Sequence, residues 1–232
     1  MTVAAPLPPL TPDEAAHSAR LVQRIRDEIE ACGGWINFER YMQMALYEPG
    51  LGYYSAGAAK LGAAGDFVTA PELSPLFGRC LANQCGEVLE RLDGGSILEL
   101  GAGSGAMALE ILLELSAQGR TPERYLILEV SADLRERQRA ALAQRAPQLT
   151  SRVAWLEAWP ENFQGVVVAN EVLDALPVHR FRIRGNHVNT VGVTWRLGRL
   201  DWSERRADAN LEAAVREIEA CLGEPLPDGY AS

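Results

Sequence analysis

The sequence predicts an α/β chain on a doubly wound, mostly parallel sheet, with a helical segment ahead of it and a β-hairpin insertion behind it. Three observations carry this. From Ser96 onward, short apolar runs alternate with helix-length stretches, the order that makes parallel strands joined by crossovers. The first run, Ile97-Leu98-Glu99-Leu100, flows into Gly101-Ala102-Gly103-Ser104-Gly105 and then into an apolar helical stretch. Glycines at alternate positions let the backbone turn sharply and leave room for a ligand, so this reads as strand, tight turn, helix. After Pro177 the pattern changes to short strand-like runs joined by Gly turns.

Taken in order, residues 1–10 are Pro/Ala-rich, without a basic start or a signal-type apolar core, and are expected to be a flexible leader of a cytoplasmic protein. Thr11-Pro12-Asp13-Glu14 is a capping box with proline in the first turn, and Leu21, Val22, Ile25 and Ile29 give the helix one apolar face. Gly33-Gly34 ends it, and a second helix is expected over 37–47, ahead of Pro49. Residues 48–75 are rich in Gly, Ala, Pro and aromatics with little periodicity. A loop that long inside a compact domain is more often functional than idle. A helix over 76–92 leads into the sheet.

Strands are then expected at 97–100, 125–130, 153–156 and 166–170, with helices at 107–116 and 132–144. Strands at 180–183, 187–193 and 200–202 form the insertion, turning at Arg184-Gly185-Asn186 and Leu197-Gly198-Arg199, and a helix follows at 209–221. Trp155, Trp159, Trp195 and Trp202 read as core or hairpin packing. The segments expected are thus the leader 1–10, N-terminal helices and a covering loop 11–95, a cofactor-binding core 96–178, and the insertion with its helix 179–232.

Composition narrows the function. A chain of 232 residues can bury a sizeable core. A net charge of −9 gives no general electrostatic footing for nucleic acid and attracts cationic partners. No apolar run approaches the ~20 residues that span a bilayer, so no membrane partner is expected. Cys32, Cys80, Cys85 and Cys221 form no CxxC pair and have no histidine at metal spacing, which reads as free thiols and no metal site.

The glycines alone do not name the cofactor, because Gly101, Gly103 and Ala106 also satisfy the dinucleotide pattern. Three features favour S-adenosylmethionine. Glu99, two residues before the first glycine, can meet an α-ammonium directly or through water, and a dinucleotide brings no cation there. Gly105 extends the spacing to G-x-G-x-G. The fourth strand ends in Asn170-Glu171, followed by Leu173-Asp174-Ala175-Leu176-Pro177, polar groups at the edge where reactive ends sit in such folds. Glu129, at the end of the second strand, suits the ribose hydroxyls of either cofactor. Glu157 stands where the adenine would lie, or is simply solvated. Glu171 and Asp174, at i and i+3, share a side on a turn or short helix.

With these motifs the chain resembles the MidA-like family of S-adenosylmethionine-dependent methyltransferases, over about residues 36 to 181. The likeness includes Tyr47-Glu48-Pro49-Gly50-Leu51-Gly52-Tyr53-Tyr54 and Gly65-Asp66-Phe67-Val68-Thr69-Ala70-Pro71-Glu72-Leu73-Ser74 with Phe77-Gly78. It also includes the glycine loop, Glu129-Val130-Ser131, and Asn170-Glu171 with Asp174-Ala175-Leu176-Pro177-Val178. The resemblance implies a Rossmann-like fold and S-adenosylmethionine held by Glu99, Gly101, Ala102, Gly103, Ser104 and Gly105. Glu129, Val130, Glu157 and Asn170 would lie along it, and Asp66, Phe67 and Thr69 over it. Glu72 could reach the cofactor's amino-acid end or the substrate. Tyr53 and Tyr54 line the same cleft or belong to the core.

The family has a mitochondrial member that methylates protein arginine and is needed for assembly of respiratory complex I. Transfer to an arginine of a protein substrate, with a respiratory-complex subunit as one class, is therefore implied, and the oligomeric state is left open. Catalysis would rest on Glu171, Asp174 and Asn170. His179 either relays a proton or is structural. Family proteins run well past this length, so the last strands of the sheet are expected to be missing. The other readings are an assembly factor acting by protein contact and a NAD-dependent oxidoreductase.

Overall fold

A computed structural model describes residues 9–55 and 69–232. They divide into two compact units, one drawn from Met1–Ala56 and Leu176–Ser232, the other from Gly57–Ala175. Both ends of the chain thus contribute to one unit.

That unit begins with α1 (Pro12–Ala31). The Thr11 hydroxyl accepts the Glu14 N–H at 3.3 Å, and the Glu14 carboxylate accepts the Thr11 N–H at 2.7 Å, the capping box legible in the sequence. A two-residue strand, β1 (Ile36–Asn37), precedes α2 (Phe38–Tyr47), and the Asn37 side chain caps α2 by accepting the Arg40 N–H. Glu28 ties the helices together, pairing with Arg40 at 2.8 Å and Arg24 at 3.4 Å.

The second unit carries the parallel sheet. After α3 (Ala70–Leu73) and α4 (Pro75–Arg91) come β2 (Ser96–Leu100), α5 (Ala106–Ala117), β3 (Tyr125–Leu128), α6 (Ala132–Arg145), β4 (Val153–Leu156) and β5 (Gly165–Ala169). All pairings are parallel and the strand order is β4-β3-β2-β5. Ile97, Tyr125 and Ile127 pack with Leu109, Ile111, Leu112 and Leu115 of α5 in one core. Glu110, buried on α5, is matched by Arg145 at 2.8 Å and Arg79 at 3.4 Å.

The first unit is then completed by β6 (Arg180–Arg184), β7 (His187–Arg196), β8 (Arg199–Arg206) and α7 (Ala209–Leu222). β7 is the centre, pairing antiparallel with β6 and β1 and with β8. α7 buries Val215 with Phe181, Ile183 and Val188. Ile25, Ile29 and Met44 of the first two helices pack with Val193.

The expected α/β alternation is observed, and the differences are local. β8 runs from Arg199 to Arg206 rather than over 200–202, because its charged residues pair with other strands of the sheet: Asp201 with Arg196 of β7 at 2.7 Å, Glu204 with Arg184 of β6 at 2.9 Å. β3 stops at Leu128 rather than residue 130, because the Glu129 carboxylate turns to accept the Ser131 N–H at 2.9 Å and starts the next helix. Trp159 is not core, being 56% exposed, whereas Trp202, equally exposed, takes the hairpin-packing alternative, its ring 5.6 Å from that of Phe38 and beneath the Arg180 guanidinium at 5.1 Å, a stack that tolerates water.

Candidate functional site

The register of the parallel sheet gathers the candidates. Leu100 pairs with Leu128 and with Ala169, and Leu128 pairs with Leu156. Gly101, Glu129, Glu157 and Asn170, the next residue of each strand, therefore leave the sheet at one carboxyl edge, where ligands sit in open α/β folds.

The glycine turn is built for close approach. Gly101, Gly103 and Gly105 have φ of 60°, 55° and 84°, a region that costs other residues strain. A Cβ on Gly101 would stand 3.1 Å from the Val172 side chain, so the turn and the segment after β5 touch. Ala102 is buried beneath it. The Ser104 hydroxyl donates to Glu72 of α3 and accepts the Ala106 N–H at 3.2 Å, which fixes the turn from outside and opens α5. The N-terminal N–H groups of that helix favour negative charge or lone pairs.

Two carboxylates lie under this edge. Glu99 is 1% exposed, and its carboxylate accepts the Tyr125 hydroxyl at 2.6 Å. Burial pushes its pKa up to about 7 against the pull of the Tyr125 hydrogen bond, and the neighbouring Glu129 charge adds to the rise. Glu129 is also buried, and burial raises its pKa against hydrogen bonds from Ser131 and Gln138. Two acids held partly desolvated in this way fit a ligand that brings a cation to one and hydroxyl donors to the other.

The remaining residues are distributed as follows. Glu157 is exposed and pairs with Arg135 at 3.4 Å, and Val130 is exposed. Thr69 stands at the N-terminus of α3 without a side-chain capping bond. Asp66 and Phe67 lie outside the described residues. Asn170 is half-buried, and Glu171 is exposed in left-handed backbone at φ 51°. Asp174 is exposed on the 3₁₀ turn Leu173–Ala175. His179 belongs to the other unit and pairs with Glu39 at 3.2 Å, which favours the structural of its two readings. Tyr53 and Tyr54 belong to that unit too, ring edge on ring face at 5.1 Å.

Sequence reasoning missed Gln138. On an otherwise polar α6 it is fully buried and touches both the glycine turn and Glu129. The available signal was its place four residues before Leu142, the other buried position of that helix.

Residues 80–231 match the model of a family described as "putative S-adenosyl-L-methionine-dependent methyltransferase". A Burkholderia thailandensis protein solved with bound S-adenosyl-homocysteine is 42% identical, with a TM-score of 0.84 over 97% of this chain and 58% of its own. The zebrafish (Danio rerio) mitochondrial protein arginine methyltransferase NDUFAF7 is 31% identical over 70% of this chain, and the mouse (Mus musculus) protein 30% over 74%. The chain spans 44% of each of these two relatives. A match over well more than half its length, together with the glycine turn and paired acids at the carboxyl edge, establishes that the chain belongs to this family of S-adenosylmethionine-dependent methyltransferases.

Proposed function

We propose that the chain carries the cofactor half of a methyltransferase acting on an arginine of a protein substrate. The observation that carries this is the common carboxyl edge, where Gly101, Glu129, Asn170 and then Glu171 emerge together. When bound, S-adenosylmethionine supplies a methyl group on a positive sulfur that already leaves readily. The protein's task is to align the acceptor nitrogen and exclude water.

In this reading Glu129 accepts the ribose hydroxyls. Glu99 offers negative charge beneath the turn to the α-ammonium, and Asn170 bonds the cofactor's amino-acid part or the acceptor. Glu171 and Asp174, both exposed, hold the guanidinium, so that the lone pair is localised on the nitrogen that attacks. The names of the zebrafish and mouse relatives support arginine as the acceptor. The net charge of −9 suits a basic substrate segment. A respiratory-complex subunit is the substrate class that the family likeness favours.

The test is calorimetric titration with S-adenosylhomocysteine, then transfer of labelled methyl to arginine-containing basic peptides. Glu171→Ala is expected to bind S-adenosylhomocysteine within about threefold of the parent and to lose transfer. Loss of binding in a folded Glu171→Ala chain would put Glu171 in the cofactor site instead.

A further inference from the structure

We infer that Gln138 is a positioning residue of the cofactor site, coupling the glycine turn to the carboxylate that takes the ribose. This rests on the cofactor placement above. Trp155 has an indole nitrogen that can only donate. It stands 2.7 Å from the Gln138 Oε1, which fixes which end of the amide is oxygen. The Nε2 end must then face the other way, and there it donates to the Gly103 carbonyl at 2.8 Å and reaches the Glu129 Oε2 at 3.5 Å. The other Glu129 oxygen accepts the Ser131 N–H at 2.9 Å. Both oxygens are thus oriented by N–H groups from the start of α6 and from its buried glutamine. The lone pairs left over have one setting for a pair of ligand hydroxyls.

Gln138 also explains one glycine. A Cβ at position 105 would stand 3.2 Å from the Gln138 Cγ, so the third glycine admits this side chain as well as turning the backbone. Trp155 is itself braced, with the Arg139 guanidinium 4.7 Å from its ring centre. The chain of contacts from β4 through α6 to the turn and the end of β3 is therefore continuous, and every polar atom of the amide has a partner. Substitution by methionine keeps the volume and removes both ends of the link. Trp155→Phe keeps the link and removes the lock, leaving the amide free to flip.

The experiment is a double-mutant cycle on S-adenosylhomocysteine affinity, with Gln138→Met, Glu129→Gln and the double variant, each melted without ligand to verify folding. Gln138→Met is expected to weaken binding tenfold or more in the parent. In the Glu129→Gln background, where there is no carboxylate to orient, it should weaken binding less than threefold. Trp155→Phe, the milder change should Gln138→Met not fold, is expected to give an intermediate loss with the same non-additivity. Equal losses in both backgrounds, or unaltered affinity in a folded Gln138→Met chain, would overturn the role while leaving the cofactor site standing. No saturation by the folded parent would overturn the cofactor placement and this role with it.

Discussion

Glu99 makes the clearest case at the scale of a single residue. Its folded pKa of about 7 stands above the ordinary 4.5, so the fold prefers the neutral acid. The stabilisation it gives is fully present below pH 4.5 and is lost as pH rises through about 7. Glu99→Gln, which still accepts from Tyr125, is therefore expected to melt progressively higher than the parent as pH is raised from 5 to 8. Thermal denaturation across that range checks it. A ligand ammonium beside Glu99 would favour its charged form, so S-adenosylhomocysteine should release protons on binding at pH 6, read by calorimetry in buffers of different ionisation enthalpy. Glu171 gives a second case. In left-handed backbone it is strained as any non-glycine residue would be, and Glu171→Gly is expected to stabilise the chain by roughly 1 kcal/mol, measured by urea unfolding, while losing methyl transfer.

Elements differ in how far local sequence determines them. β2, the turn and α5 were legible because an apolar run, alternate glycines and a buried helix all point to one structure, and α5 is the keystone of its unit. Leu112→Ala is expected to cost about 3 kcal/mol in urea unfolding, whereas Leu173→Ala, on the exposed turn after β5, should stay within about 0.5 kcal/mol. β1 was not legible, since two residues become a strand only by pairing with Val193 and Gly192 far along the chain. β8 was shortened because its charges hide the alternation that cross-strand ion pairs stabilise. The candidate site divides in the same way. Its glycines and strand-end acids follow from the strand–turn–helix pattern. Gln138 does not, because a glutamine among the arginines and acids of α6 reads as solvated until the turn packs over it.

For the molecule as a whole, the parallel sheet has an asymmetry. Among the described residues β4 and β5 are the two edge strands, each with a neighbour on one side only, but an exposed large apolar side chain stands only on β5: Val167, at 44%. An open strand edge with apolar side chains is a template for another strand. The chain is expected to associate at high concentration, more so as salt screens its net charge of −9, and Val167→Lys should reduce this. Sedimentation velocity at two salt concentrations reads the effect.

The first unit is stitched from the two ends of the chain, with β1 seated on β7 and Ala231 bridged to Arg182. On the ribosome this sets an order of events. The four described parallel strands, β2 to β5, have all been made once Ala169 has left the exit tunnel, while α1 and α2 must wait, apolar faces uncovered, until β7 is synthesised. The residues at risk of chaperone capture during synthesis are therefore the earliest made, Ile25, Ile29 and Met44, rather than those that hold the cofactor.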